Sequence, residues 1–525
     1  MPQAAKAPAA ARSWDPESFR LRTLVKRLMD MGEVRVHEQP VALSALAPII
    51  ENSTEAHLFR QAGPEKHELV SSVTGTRKRL AAAFDVFDDD DRKRDHRMRE
   101  ELSKRHGNPQ KAFEIPSNEA PVHEVVETGA QIDLTKLPFY VHHEYDGAPY
   151  ISSGIDFTRD PLTGRNNVGA RRLMLRGRDK AGINLTAPSD LRNIYLGCVA
   201  RGEKLPCSFV VGSHPLYIMA AGSRGSGDEL DTMATFRGAP LATVKCLTND
   251  LRVPADAEMV LEGYLDERGY IDHEGPYGEY MGFYGPMHGD PVFHVTAITR
   301  RKDILHHTYK HGYGLHLGEC DGGPMGMLQT ETRAWNLLRG AGLEPTDVFA
   351  IGAAGVSHHL RVAIRKRGNG DPRAAIAVLF GNIMTLKHVW VTDEDVNIRS
   401  SEQMEWAMST RFQADKDLVV LTGMREMPMD PSTDGKGIGA KAGFDCTFAH
   451  PRSQAVTLRV PVSAKVGGPA KFKTVKEALA SGPLHFAGLM SVLGSDDGRE
   501  LVLEIEKLRD SGLVDRKPDG EYYLK

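Results

Sequence analysis

Glu274-Gly-Pro-Tyr-Gly-Glu279 sets two carboxylates five residues apart on a stretch broken by glycine and proline. Proline lacks the N–H that a helix interior or a central strand requires, and glycine loses the most backbone entropy on ordering, so neither regular element runs through this segment. Turn geometry sets its path and allows both carboxylates to be aimed inward. Upstream, Asn167-Val-Gly-Ala-Arg-Arg172 supplies a guanidinium. Two carboxylates and an arginine brought together would bind a substrate carboxylate and pass a proton. Taken alone, the same spacing also describes a surface turn with its acids in water.

The flanks decide between these readings. The run from Lys245 to Tyr264 leads into Glu274, and Pro291-Val-Phe-His-Val-Thr-Ala-Ile-Thr-Arg300 follows Glu279. Two further blocks come later, Lys387-His-Val-Trp-Val-Thr-Asp-Glu-Asp-Val-Asn397 and Gly437-Ile-Gly-Ala-Lys-Ala-Gly-Phe-Asp-Cys-Thr447. In this order the blocks resemble the UbiD family of reversible decarboxylases, which includes the ferulic and cinnamic acid decarboxylases and the enzyme of ubiquinone biosynthesis. The resemblance runs from about Pro121 to about Thr447, most of the chain.

Composition fits a large enzyme. At 525 residues the chain is long enough for several domains. With 66 Lys and Arg against 70 Asp and Glu, a net charge of -4 exerts no global pull toward nucleic acid or an anionic membrane. Five cysteines without a CxxC pair argue against a disulfide framework and a structural zinc site, and a reducing cytoplasm is the expected compartment. No stretch approaches the roughly 20 apolar residues that span a bilayer. Met1 to Ser13 is expected to be a frayed tail rather than a secretory signal.

Apolar residues at helical spacing between Pro16 and Met31 (Phe19, Leu21, Leu24, Leu28, Met29) predict a helix, followed by a strand over Val34–His37. The mixed charges from Asp88 to Leu102 predict a helix with a solvated face, because acids neutralise the bases locally. From Val125 to Leu305 short alternating runs predict strands of a barrel or sandwich: Ser152–Thr158, Ser208–Gly212, Ala242–Leu247 and Val292–Ile298. Between Met327 and Leu421 helical stretches alternate with apolar runs such as Ala374–Phe380 and His388–Val391, read as strands in α/β layering. The resemblance implies a mixed α+β and α/β fold of UbiD type. Residues 1–120 would form an N-terminal α/β segment and 121–310 a split β-barrel that holds the cofactor. Residues 311–460 would form a C-terminal α/β domain, and 461–525 a linker and an oligomerisation tail, helical from about Val475, that docks on a neighbouring subunit.

Losing carbon dioxide from an sp2 carbon leaves an electron pair that an aromatic ring cannot delocalise, so an electron sink has to be borrowed. The resemblance implies that this sink is prenylated FMN, which bonds covalently to the substrate and is supplied by a flavin prenyltransferase. It also implies a catalytic set of Arg172, Glu274 and Glu279. Arg172 would bind the substrate carboxylate and pair with Glu274, while Glu279 would donate the proton. Consecutive side chains on a strand face opposite ways, so only one of Arg171 and Arg172 points at the substrate, and the spacing from Asn167 selects Arg172. The implied cofactor contacts are Asn167, Val168, Arg171, Arg172, Glu229 and Lys387. A divalent metal (Mn2+, Mg2+ or Fe2+) and K+ would offset the phosphate, held by an Asn, a His and a Glu. Asn167 matches the first and Glu229 the last. Where the family carries the histidine, this chain reads Asn184-Leu-Thr-Ala-Pro-Ser-Asp-Leu-Arg192. Asp190, Ser189 or a backbone carbonyl would suit a hard cation; the alternative is an altered or empty metal site.

Gly435-Lys-Gly-Ile-Gly-Ala-Lys441 lacks both the GxxxxGK[ST] and the GxGxxG order, and is expected to close over the substrate with Lys441 near the mouth. His307 and His311 are four apart, but Gly312 and Gly314 oppose a helix there, so a polar substrate pocket is favoured over zinc, with Met325 as an apolar wall. The expected substrate is a small aromatic carboxylate. One alternative is an aromatic acyl-CoA such as phthaloyl-CoA, whose phosphates would meet Arg365-Lys-Arg367. From other classes, a non-catalytic cofactor-binding subunit of a multi-subunit carboxylase and a plain-FMN redox enzyme stay open. The expected assembly is a homodimer or homohexamer.

Overall fold

Leu21, Leu24, Val25 and Leu28 recur at three- and four-residue spacing, and all four are buried by the first helix, α1 (Leu21–Asp30). The computed structural model describes residues 14–223, 227–312, 317–433, 437–453 and 461–525. Met1 to Ser13 and the Gly435-Lys436 part of the expected closing loop lie outside the described residues. After α1 come β1 (Val34–His37), α2 (Leu43–Glu51), β2 (Ala56–Ala62) and β3 (His67–Ser71). The helices α3 (Arg77–Ala83) and α4 (Asp91–His106) follow, capped by Thr76 and Asp90, whose side chains accept N–H bonds from the first turn. The charged stretch is thus helical, but only its outer face is solvated. Arg94, Asp95, Met98, Arg99 and Leu102 are buried, because Asp95 meets Arg77 and Arg399 rather than water.

A short strand, β4 (Ala112–Glu114), precedes the barrel segment, which opens with β5 (Val125–Thr128), β6 (Tyr150–Arg159), β7 (Asn166–Leu175) and β8 (Lys180–Ile183). Next are α5 (Asp190–Arg201), β9 (Leu205–Val211), α6 (Pro215–Ala221), α7 (Glu229–Arg237), β10 (Leu241–Lys245), β11 (Arg252–Pro254) and β12 (Met259–Leu265). Two nested ladders then pair β13 (Asp272–Glu274) with β16 (His288–Asp290) and β14 (Tyr277–Gly278) with β15 (Tyr284–Gly285). The segment ends with β17 (Val292–Arg300) and β18 (His306–Thr308). Strands run in the order β12-β9-β6-β7-β8-β17, and β12 pairs back onto β17, which closes a six-stranded barrel. Leu173, Phe209, Val211, Leu261 and Phe293 fill its interior, whereas Ile155, Phe157, Val168, Val210 and Val260 face outward into a second core shared with α1, α3 and α6.

The C-terminal lobe contains α8 (Gly322–Gly340), β19 (Pro345–Ala350), β20 (His359–Ile364), α9 (Asp371–Asn382) and β21 (His388–Asp393). It continues through α10 (Ser401–Arg411), α11 (Ala414–Asp417), β22 (Leu418–Arg425) and β23 (Ile438–Cys446), and its sheet has the order β19-β20-β21-β23-β22. Ala374–Phe380, expected as a strand, is the body of α9. Its buried residues Ala375, Ile376, Leu379 and Phe380 follow helical periodicity, Pro372 sits in the first turn, and three alanines favour helix.

Residues 14–366 and 370–447 form one compact unit, so the first three sequence segments are not separate bodies. The reason is β18, which pairs in parallel with β3 and completes the N-terminal sheet from the far end of the barrel segment. A second unit comprises residues 367–369 and the described part of 448–525, and so begins before residue 461. It contains α12 (Val475–Ala480), α13 (Phe486–Leu493), α14 (Arg499–Asp510) and a closing pair, β24 (Val514–Arg516) and β25 (Tyr522–Leu524). Its own core gathers Val475, Leu479, Leu489, Leu501, Ile505 and Val514. All five cysteines are buried thiols. Among the described residues, no helix is long and apolar enough to cross a membrane.

Candidate active site

Strand alternation on β7 sends Arg171 and Arg172 to opposite faces. Arg171 turns to the barrel interior, where Nε lies 3.3 Å from the buried Asp156 and Nη2 donates to Ser189 Oγ at 3.1 Å. Arg171 and Arg172 therefore do not share a face of the strand. Arg172 faces outward and meets both carboxylates of the Glu274–Glu279 loop. Nε donates to Glu274 Oε1 at 2.7 Å and Nη2 to Glu274 Oε2 at 2.9 Å, a bidentate pair, while Nη1 donates to Glu279 Oε1. The guanidinium carbon also lies 4.2 Å from the centroid of the Tyr277 ring. Burial works to lower the Arg172 pKa, but the Glu274 hydrogen bond and the two carboxylate charges hold it above its ordinary value. The two acids differ in access: the Glu274 side chain is fully buried, and that of Glu279 is 16 % exposed.

The loop is pinned from behind. Gly275 N–H donates to Tyr150 Oη at 3.2 Å, and Gly278 N–H to Asp146 Oδ1 at 2.9 Å. Gly275 has φ +85°, and a Cβ on Gly278 would stand 2.2 Å from His143 Nδ1, so both glycines are required. Behind Glu274, His288 lies opposite it in the ladder and sits 2.5 Å from Asp290 Oδ2. Burial pushes the Asp290 carboxyl up to about 6, the Leu185 N–H and His288 pull it down, and the Glu274 charge adds to the rise.

A second constellation lies at the start of β7. Val168 N–H donates to Glu229 Oε2, and Arg165 lies 3.8 Å from Glu229 Oε1. Asn166 Nδ2 donates to Asp228 Oδ2 at 2.6 Å, and Asp228 caps α7. Burial raises the Glu229 pKa; Val168 and Arg165 oppose this, while the charges of Asp190 and Asp156 add to it. Asp190 thus acts on Glu229 from the first residue of α5, next to the capping Ser189. Alternation places Asn167 on the face opposite Arg172, five residue steps or about 16 Å along the strand. A polar cleft of about 510 Å³ adjoins this end, lined among others by Asn166, Asp228, Arg159 and Lys245.

Other expected residues scatter. Lys387 donates to Asp430 Oδ2 and Ser432 Oγ, both at 2.6 Å, and holds the Asp430 carboxyl at about 2 against the upward push of burial. Lys441 is not at a mouth. It is fully buried on β23, bonded to the carbonyls of Met384 and Leu386 and 3.4 Å from Glu426, because that strand turns it inward. His307 is buried on β18 against Tyr309, and Met325 is core, so neither stands with Arg172. His311 does approach: Nε2 lies 2.5 Å from Tyr277 Oη. Arg365 is engaged by Glu344 and Glu394, which offsets charge offered to coenzyme A phosphates. The sequence reading missed Tyr277, Asp146, Asp290 and Glu51. The His142-His143 pair with Asp146 was the available signal for the groups that pack against Tyr277 and hold Gly278.

The closed barrel, with Arg172 clasped by two loop carboxylates, has counterparts among known proteins. Residues 114–313 match the 3-octaprenyl-4-hydroxybenzoate carboxy-lyase Rift-related domain, and residues 324–446 match the C-terminal domain of the same enzyme family. The anhydromevalonate phosphate decarboxylase of Methanosarcina mazei is 31% identical over 435 residues, covering 81% of this chain and 95% of the relative. The chain belongs to the UbiD family of decarboxylases, which are carboxy-lyases. The UbiD-class enzyme HmfF from Pelotomaculum thermopropionicum, in complex with FMN, superposes with TM-score 0.76 at 29% identity, covering 84% of this chain and 97% of that one. The apo 3,4-dihydroxybenzoic acid decarboxylase of Klebsiella pneumoniae shares the fold, with TM-score 0.74 at 23% identity, covering 85% and 97% of the two chains.

Proposed function

We propose that this protein is a reversible decarboxylase of an aromatic or α,β-unsaturated carboxylic acid that works with prenylated FMN. The observation that carries the reading is the double clasp of Arg172 by Glu274 and Glu279 beside one loop. When bound, the modified flavin supplies an electrophilic carbon and a sink for the electron pair left by carbon dioxide. Arg172 binds and orients the substrate carboxylate. Glu274, fully buried and bidentate, holds the guanidinium in place. Glu279 is the better exposed acid and delivers the proton to the carbon that carried the carboxylate. In the carboxylating direction the same group takes that proton away.

The donor set at the other end of β7 suits the phosphate end of such a cofactor. Asn167, Glu229 and Asp190 offer hard oxygen ligands, which fit Mn2+ or Mg2+ with K+ and need no histidine. Arg171 acts there as a partner of Asp156 and Ser189. A flavin prenyltransferase is the expected supplier, the cytoplasm the expected compartment, and a homo-oligomer the expected assembly. Val502 and Leu503, exposed apolar residues of α14, are suited to subunit contact. Mass spectrometry of the cofactor released after co-expression with the prenyltransferase, together with metal analysis, tests the reading: unmodified FMN without divalent metal overturns it. The 31% identity to a decarboxylase named for anhydromevalonate phosphate favours a second reading, an unsaturated aliphatic acid bearing a phosphate. Turnover assays with aromatic acids against phosphorylated unsaturated acids separate the two.

A further inference from the structure

Beside Tyr277, Glu51 at the end of α2, His143 before β6 and His311 after β18 converge. One ligand-type atom from each lies within 4.8 Å of the other two. His311 Nδ1 stands 3.6 Å from Glu51 Oε1, and tetrahedral bonds of about 2.1 Å to a zinc-sized ion separate ligand atoms by about 3.4 Å. The surroundings orient each group. His311 Nε2 is taken by Tyr277 Oη at 2.5 Å, which leaves Nδ1 turned to Glu51. The Glu51 carboxylate is fixed by the N–H groups of His311 at 3.0 Å and Gly312 at 2.9 Å. Behind His143 stands Asp146, 3.5 Å from Nδ1, itself held by the N–H groups of His142, His143 and Gly278. A carboxylate behind an imidazole is the arrangement that orients metal-binding histidines. Lys310, the neighbouring ammonium, is bonded to the Ser53 carbonyl.

We propose that Glu51, His143 and His311 form a binding site for a divalent transition-metal ion of zinc type, with one coordination position open. Two imidazoles and one carboxylate are a ligand set that such ions prefer over Mg2+ or K+, so this site is distinct from the oxygen-rich group around Glu229. Through His311 and Tyr277 the ion would fix the ring on which Arg172 rests.

The test uses the full chain, stripped by chelation and reloaded with Co2+. The expected result is visible d–d absorption of a low-coordinate Co2+ site, retained in Glu229→Gln and lost in His143→Gln and in Glu51→Gln. X-ray absorption of Co2+-loaded Glu229→Gln is expected to show imidazole scattering from two rings, a readout that leaves the three proposed ligands intact. Absence of both the visible band and imidazole scattering in the Glu229→Gln protein overturns the proposal. A band unchanged in both folded ligand variants overturns it as well.

Discussion

Arg172 is held on three sides, by the bidentate Glu274, by Glu279 and by the Tyr277 ring, so each neighbour has a separable effect. Glu279→Gln keeps the shape and removes the proton that the proposed mechanism transfers. It is expected to lower turnover by about 10²–10⁴-fold and to abolish substrate-dependent deuterium exchange while flavin still binds; exchange at the wild-type rate assigns the proton to another group. Asp290 gives a pH prediction. Its folded pKa, about 6, lies above the ordinary 3.8, so its protonation favours the folded state. That contribution is complete below about pH 4 and is lost as pH rises through 6. Urea titrations between those limits are expected to show a fall in wild-type stability that Asp290→Asn lacks. At this scale the sequence was informative where geometry is local. Alternation alone separates Arg172 from Arg171, but the carbonyls and Glu426 that bury Lys441 come from other elements and leave no local trace.

Three of the four expected runs, Ser152–Thr158, Ser208–Gly212 and Val292–Ile298, fall on barrel strands, but Ala242–Leu247 falls on β10, in a separate sheet with β4 and β11, since alternation marks a strand and not its partners. The seven-residue apolar run in α9 fits either element until its flanks are weighed. Closure of the barrel was less visible, since it depends on one irregularity. The β12–β17 pairing shifts register between Glu262 and Gly263, and a Cβ on Gly263 would lie 1.9 Å from the His294 carbonyl oxygen. The obstacle is backbone and cannot rotate away. Gly263→Ala is expected to destabilise the fold by about 1–3 kcal/mol or more, read as a lower urea midpoint, with the strand pairing at β12 disturbed first. A midpoint equal to that of the wild type contradicts the closure described for β12 and β17.

Across the larger unit, a buried charge network joins the N-terminal segment to the C-terminal lobe. Arg77 pairs with Glu331 at 2.6 Å and Asp95 at 3.2 Å, and Arg399 joins Asp95 at 2.6 Å to Asp347 at 3.2 Å. No reading of local pattern finds partners separated by 254 or 304 residues. Replacing Glu331 with Gln leaves the Arg77 guanidinium short of a buried counter-charge, with an expected loss of about 3–5 kcal/mol in the single unfolding transition of this unit. Burial pushes the Asp347 carboxyl up, but His96 and Arg399 together hold it well below its ordinary value. A depressed carboxylate stabilises the fold above its unfolded pKa of 3.8 and ceases to do so as pH falls through the folded value. Acid therefore unfastens the contact between the two ends of the unit. Urea midpoints measured near neutrality and near pH 3 are expected to differ less in Asp347→Asn than in the wild type. Equal differences would mean that the Asp347 carboxylate does not carry the acid dependence of this unit.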